Sequence, residues 1–422
     1  MATNRDRRRR SVVSMTARQR TPRRLPRWSD FTPLISLEKP ELSPTRRRLR
    51  QALTIDELRS IARRRSPRAV FDYTDGAASA EISLTRARSL FAELQFNPSV
   101  LRDVSQVDTS SSILGTRSEQ PFAFAPTGFT RLMHHEGERA VARVAKRHGV
   151  PYALSTMGTT SIEDVAAAAP TARKWFQLYV WRDRAATEDL IARAHTAGFE
   201  ALILTVDVPV AGPRLRDVRN GFSIPPKLKA KTVGNAILHP AWWLNLLTTD
   251  PLTFASLSSW HSTVAEMIDT LFDPTMTDGD LAWLRSVWEG PLVVKGIQTV
   301  DDARRVVDAG ADAVIVSNHG GRQLDRAPVP LRLLPDVVQE LQGRAEVWLD
   351  TGIMNGADIV AARALGADAA LVGRAYLYGL MAGGERGVER AAEILISEVR
   401  RTMQLLGVRK ITELGPQHVT LP

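Results

Sequence analysis

Eight short apolar segments between residues 121 and 374 constrain the fold of this chain more than any other feature. They are Pro121–Pro126, Pro151–Thr156, Lys174–Val180, Ala201–Asp207, Pro291–Gly296, Ala313–Asn318, Glu346–Thr351 and Ala369–Arg374. Each has the length and apolar continuity of a buried parallel strand. Amphipathic stretches at helical spacing separate most of them: Glu138–His148, Ser161–Ala168, Ala185–Ala197, Val300–Ala309 and Ala357–Leu365. Strand–helix alternation on this scale predicts an α/β protein, a (β/α)8 TIM barrel. A weak internal echo agrees, because Asp301–Asn318 and Asp358–Arg374 both run from an Ala-rich helix through Gly-Ala-Asp to an apolar strand. A doubly wound open sheet is the alternative, but no Gly-x-Gly-x-x-Gly turn follows the first strand.

Three segments lie outside this rhythm. An N-terminal helical segment is expected at Ile55–Ala62, capped by Thr54, and at Arg68–Thr74. Val208–Gly290 is an insertion between strands 4 and 5, far longer than one helix needs. It carries Lys227, Lys229 and Lys231, then Trp242 and Trp243 among aliphatic residues. That composition suits a membrane interface, with packing over the barrel or against another subunit as the alternative. Residues 1–51 read as a basic, mostly disordered tail, ahead of a catalytic domain at 52–419. The first 50 residues hold 14 Arg and one Lys against four acids, a net +11, while the whole chain is +10. The basicity therefore belongs to the tail, a solvated arm or one drawn to anionic lipid. Nucleic-acid binding is the weaker reading, since aromatic residues do not interleave the charges.

The chain has no cysteine, which excludes disulfides, thiolate nucleophiles and Cys-ligated metal, and no metal centre is expected. No apolar run is long enough to span a bilayer and no signal peptide is visible. A cytoplasmic location follows, peripheral on the inner face of the membrane if the Trp-bearing insertion docks there.

Active sites of (β/α)8 barrels form at the C-terminal strand ends, and here those ends are polar. Strand 1 ends in Pro126-Thr127-Gly128, strand 2 in Ser155, and strand 3 carries Gln177 and Tyr179. Strand 4 carries Thr205 and Asp207, strand 5 Lys295, and strand 6 ends in Ser317-Asn318-His319. Strand 7 ends in Asp350-Thr351-Gly352 and strand 8 in Gly373-Arg374. His319 and Arg322 stand three residues apart with two glycines between them, a base beside an anion binder. This suits a substrate that carries a carboxylate and must lose a proton. Asp207 can orient His319. A buried Lys295 needs a negative partner, which a reduced flavin provides, although a Schiff-base lysine is the alternative. Gly352, Gly373 and Arg374 fit a phosphate site after strands 7 and 8. Gln177, Thr205 and Ser155 suit the polar edge of a flavin ring.

The run Ser317-Asn318-His319-Gly320-Gly321-Arg322-Gln323-Leu324-Asp325 resembles the signature of the FMN-dependent L-2-hydroxy acid oxidases and dehydrogenases. The resemblance covers about residues 52–419. It includes Ala125-Pro126-Thr127, Phe176-Gln177-Leu178-Tyr179, Leu204-Thr205-Val206-Asp207, Val294-Lys295-Gly296 and Val372-Gly373-Arg374. Phe71-Asp72-Tyr73-Thr74-Asp75-Gly76-Ala77-Ala78 is similar to bacterial L-lactate dehydrogenases of actinobacterial type. The resemblance implies FMN as cofactor and His319 as base, paired with Asp207. It implies that Arg322, Arg214 and Tyr73 hold the substrate carboxylate, Tyr179 the substrate hydroxyl, and Lys295 the reduced flavin. The implied reaction is L-lactate to pyruvate, with electrons passing to a quinone or other membrane acceptor. The alternative is an oxidase that reduces O2 to H2O2. A homo-oligomer, a tetramer, is also implied.

Two departures stand out. Many members of that family read Asp-Gly-Gly-Val-Arg-Arg-Gly after strand 7, where this chain reads Asp350-Thr351-Gly352-Ile353-Met354-Asn355-Gly356. Met354 replaces a phosphate-binding Arg, leaving Arg374 and backbone amides to carry more of that charge. Met157 replaces a bulky Trp seen in glycolate oxidase and, with Gly128, is expected to leave room for side chains larger than a hydrogen. This fits lactate and also admits longer or aromatic acids.

Overall fold

In the computed structural model, which describes residues 23–34, 41–221, 234, 237–257 and 273–422, the eight expected strands close into one parallel barrel in chain order. They are β1 (Phe122–Phe124), β2 (Tyr152–Ser155), β3 (Lys174–Leu178), β4 (Ala201–Thr205), β5 (Leu292–Ile297), β6 (Ala313–Val316), β7 (Glu346–Leu349) and β8 (Ala369–Val372). The expected helices surround them, among them Gly137–His148, Ile162–Ala168, Arg184–Thr196, Val300–Asp308 and Gly356–Ala364. The open-sheet alternative is thereby excluded.

Strand periodicity sorts the barrel interior into layers, because side chains two residues apart share a face. One inward layer is apolar: Ala123, Ala153, Trp175, Ile203, Val293, Ile315, Trp348 and Leu371 form a buried cluster of their own. Across it the Trp175 and Trp348 indoles stack with centroids 4.9 Å apart. Two residues onward stand Ala125, Ser155, Gln177, Thr205, Lys295, Ser317, Asp350 and Gly373. One two-residue step thus changes the lining from hydrocarbon to hydrogen-bonding groups, at the end where barrel active sites lie.

The folded body starts earlier than residue 52, within a compact unit that begins at Ser43. Residues Pro44–Gln51, expected to be part of the loose tail, form a helix capped by the Ser43 side chain, which accepts from the Arg46 amide. It buries Leu49. Charge count alone hid this helix, because its arginines outnumber its one inward leucine. Helices Ile55–Arg65 and Arg68–Asp75 follow. Thr54 and Glu57 form a capping box on the first. Residues 23–34, in a unit of their own, form helix Trp28–Phe31 and a short turn at Thr32–Leu34. Arg7 to Arg10 of the tail, and Lys227, Lys229 and Lys231, lie outside the described residues.

The described part of the insertion includes helices Leu215–Asn220 and Pro240–Leu247. It docks on the barrel through several contacts, two of them aromatic. Trp242 Nε1 donates to the Leu132 carbonyl at 2.8 Å, and Phe254 stacks edge-on against Phe129 with centroids 4.7 Å apart. Ile237, Leu238, Leu244 and Leu247 remain exposed.

Candidate active site

All the expected site residues except Asp207 and Ser317 line a single cavity of about 820 Å3 at the polar mouth of the barrel. Those two stand behind its wall and act on it through hydrogen bonds.

Asp207, just past β4, accepts from His319 Nδ1 across 2.9 Å, with its own side chain fully buried. This fixes the tautomer that leaves Nε2 for chemistry. Burial draws the His319 imidazole below its ordinary value, against the opposing pull of Asp207. The shift favours the neutral imidazole, the form that can accept a proton.

Lys295 sits in a buried ion pair with Asp350, Nζ to Oδ2 at 3.0 Å. It also donates to Ser317 Oγ at 3.0 Å. Ser317 in turn donates to Asp350 at 2.6 Å and accepts the His319 amide at 3.0 Å. Burial pulls Lys295 down, but Asp350 and then Asp207 outweigh it and the net displacement is upward. The ammonium stays charged at the floor of the cavity.

Two guanidiniums make one side of the cavity cationic. Arg322 Nη1 donates to the carbonyls of Tyr73 at 2.6 Å and Gly76 at 3.1 Å. Arg322 lies over the Tyr73 ring at 4.9 Å and Arg214 at 5.8 Å. Desolvation, and then the neighbouring Arg214, bring Arg322 down to about 9. Two cations held this close are stabilised by an incoming carboxylate. Tyr179 is pushed up, chiefly by burial, and remains a hydrogen-bond donor.

Contacts in the structure add detail at three places. Arg374, expected to anchor phosphate, donates to the carbonyls of Thr74 (3.0 Å), Gly76 (2.9 Å) and Gly320 (2.9 Å). It clamps the histidine loop to the N-terminal helices, because those carbonyls are the nearest acceptors to its fork. Gly128 packs against Met157: a Cβ there would stand 2.7 Å from Met157 Cβ, so the glycine accommodates that side chain, and both residues line the cavity. Of the nine-residue signature, Gln323 and Asp325 are scaffolding. Gln323 accepts the Gly212 amide at 3.1 Å, and Asp325 accepts the Ser83 amide at 2.8 Å.

Other site residues went unforeseen. Arg216 bonds Asp75 at 2.9 Å and also pairs with Glu81, tying the segment after β4 to the N-terminal helices. Asp75 further accepts from Tyr378 at 2.9 Å. Arg88 reaches Asp358 at 2.6 Å and the Gly352 carbonyl, on the side of the cavity formed after β7. Thr351 contributes a hydroxyl that accepts the Gly320 amide, one residue after His319. These residues come from segments distant in sequence and carry no local pattern.

A family model described as FMN-dependent dehydrogenase matches residues 62–421. The chain belongs to this family. A Mycobacterium tuberculosis protein provisionally named L-lactate dehydrogenase is 59% identical over 94% of this chain and 96% of its own length. An L-lactate dehydrogenase of Caulobacter vibrioides is 41% identical over 85% of this chain and 95% of its own. The crystal structure of (S)-mandelate dehydrogenase, described as a monotopic membrane protein, superposes with a TM-score of 0.85. It is 37% identical and covers 88% of this chain and all of its own. As a member of the FMN-dependent dehydrogenases, the protein is an FMN-dependent oxidoreductase acting on CH–OH donors.

The residues present fit that cofactor. Gln177 Nε2 and Thr205 Oγ1 are buried without a hydrogen-bond partner among the described residues. Orphaned buried donors of this kind are costly unless a ligand meets them. Together with the charged Lys295 they suit the polar edge of an isoalloxazine. Among the described residues, no helix is long and apolar enough to cross a membrane.

Proposed function

We propose that the enzyme oxidises an L-2-hydroxy acid, L-lactate to pyruvate, with His319 as base. The observation that carries this reading is one cavity lined by an imidazole bonded to a buried carboxylate and by two guanidiniums. Arg322 and Arg214 bind the substrate carboxylate and Tyr73 and Tyr179 add hydrogen bonds. His319 Nε2 takes a proton from the substrate, and Asp207 stabilises the imidazolium that results. Bound FMN supplies the two-electron acceptor. Gln177, Thr205 and Ser155 would hold its polar edge, with Pro126, Thr127 and Gly128 beside them. Lys295 would offset the negative charge that reduction brings. Arg374 keeps one nitrogen, Nη1, beyond its three carbonyl bonds. That nitrogen, Gly352 and the helix start at Gly373 would meet the phosphate.

Purified protein should be yellow and should bleach anaerobically with L-lactate. Protein that takes up FMN but is reduced by no L-2-hydroxy acid overturns this function.

The electron acceptor is proposed to be a membrane quinone, reached from the inner face of the membrane. The exposed Ile237, Leu238, Leu244 and Leu247 support this, since apolar side chains on a short surface helix bind bilayer interfaces. Leu244→Glu with Leu247→Glu should abolish sedimentation with anionic liposomes and leave flavin reduction intact. If the unsubstituted enzyme stays in the supernatant, membrane docking is wrong. Rapid reoxidation by oxygen, with peroxide formed, would favour an oxidase. The homo-tetramer is part of the same proposal and is read by light scattering.

A further inference from the structure

Three consecutive residues at the catalytic loop have left-handed backbones: His319 (φ 59°), Gly320 (φ 65°) and Gly321 (φ 73°). Such a run cannot join a helix or sheet ladder, so its amides need other acceptors. The His319 amide uses Ser317 Oγ at 3.0 Å and the Gly321 amide uses Asn318 Oδ1 at 2.9 Å. Both acceptors belong to the same loop. The Gly320 amide instead reaches Thr351 Oγ1, 3.0 Å away beyond the end of β7. The carbonyl of Gly320 accepts from Arg374 at 2.9 Å, so the backbone of this residue is held on both its peptide groups.

Thr351 holds that position at a cost. It is buried, with φ at 88°. A β-branched residue is strained there, whereas glycine is not. Strain of this kind persists only where the surroundings over-determine it, and it concentrates at functional sites. Here the hydroxyl supplies what glycine cannot, an acceptor for the amide that follows the base.

We propose that Thr351 is a positioning residue for His319, bonding the Gly320 amide so that the imidazole is held against Asp207 and aimed into the cavity. This rests on His319 being the base. Charged groups around the imidazole come from several elements: Asp207 after β4, Arg214 farther along that segment, Lys295 on β5 and Asp350 after β7. Of these, Asp207 raises the imidazole most. A loosened loop weakens that contact, and the pH at which the base becomes active falls.

The test is anaerobic flavin reduction in the holoenzyme, across pH, by the L-2-hydroxy acid that reduces the unsubstituted enzyme fastest. Thr351→Val keeps the shape and removes the acceptor, Thr351→Ser keeps the acceptor, and Thr351→Gly removes both acceptor and strain. Thr351→Val should slow the limiting reduction rate roughly tenfold or more. It should move the ascending pH limb toward acid and leave substrate affinity nearly unchanged. Thr351→Ser should restore rate and profile. Thr351→Gly should melt higher than the unsubstituted enzyme yet be as slow as Thr351→Val. Should Thr351→Val fold poorly, the Gly and Ser variants decide alone. Unsubstituted rate and pH profile in Thr351→Gly overturn the proposal. If His319→Ala itself reduces flavin normally, the fault lies with the choice of base.

Discussion

The two ends of the barrel interior differ by one step of strand periodicity and by almost everything else. The apolar layer, centred on Trp175 and Trp348, makes few polar contacts and closes the barrel by packing. The layer two residues onward is a connected network, Lys295–Ser317–Asp350 with the His319 amide. The same backbone geometry supports both. The difference teaches that stability and reactivity are separated along the barrel axis. One end can spend its buried volume on dispersion because the other end carries the charges.

If that separation is real, substitutions at the two ends should fail differently. His319→Ala should lower flavin reduction by about 10^2–10^4-fold, with melting temperature and FMN content close to normal. Parallel loss of rate and of folding would break the comparison. Trp348→Ala should cost about 3–5 kcal/mol in denaturant stability, while the molecules still folded keep their KM for substrate. A large change in KM would mean that the floor shapes the site.

Lys295→Met probes the boundary, since it leaves Asp350 buried without its ion pair. Breaking such a pair costs about 3–5 kcal/mol. In the unsubstituted enzyme Asp350 is held below its ordinary value, where burial pushing up is outweighed by Lys295 pulling down. That stability is present above the unfolded carboxylate value and is lost as pH falls through the folded one. Without Lys295 burial dominates and the carboxyl rises, so the melting deficit of the variant should shrink from pH 8 to pH 5. A deficit independent of pH would assign it to packing instead. The smallest effect is expected at Arg322→Lys. KM should rise severalfold and the limiting rate fall less, because an ammonium lacks the bidentate fork.

Much of this was legible in the sequence. The eight apolar runs fix strand number and order, and polar residues at their C-terminal ends mark the mouth. His319, Asp207 and Lys295 were readable because each lies at a strand end whose direction is known. The carbonyl contacts of Arg374 were not readable, because the length of its side chain, and not its position, decides which acceptors it meets. The helix Pro44–Gln51 was hidden by charge, since a single buried Leu49 anchors it. The link from Arg216 to Asp75 could not be read at all, for no local pattern reports a pair 141 residues apart.

The stacked indoles have an optical consequence. Trp175 on β3 and Trp348 on β7 come from opposite walls of the closed barrel. Rings this close should couple their strongest electronic transitions and give a paired circular dichroism band in the far ultraviolet. The band requires both walls in register, so it vanishes when the cylinder opens and ignores local fraying of loops or helices. The molecule thus carries a built-in gauge of barrel closure, readable without a label.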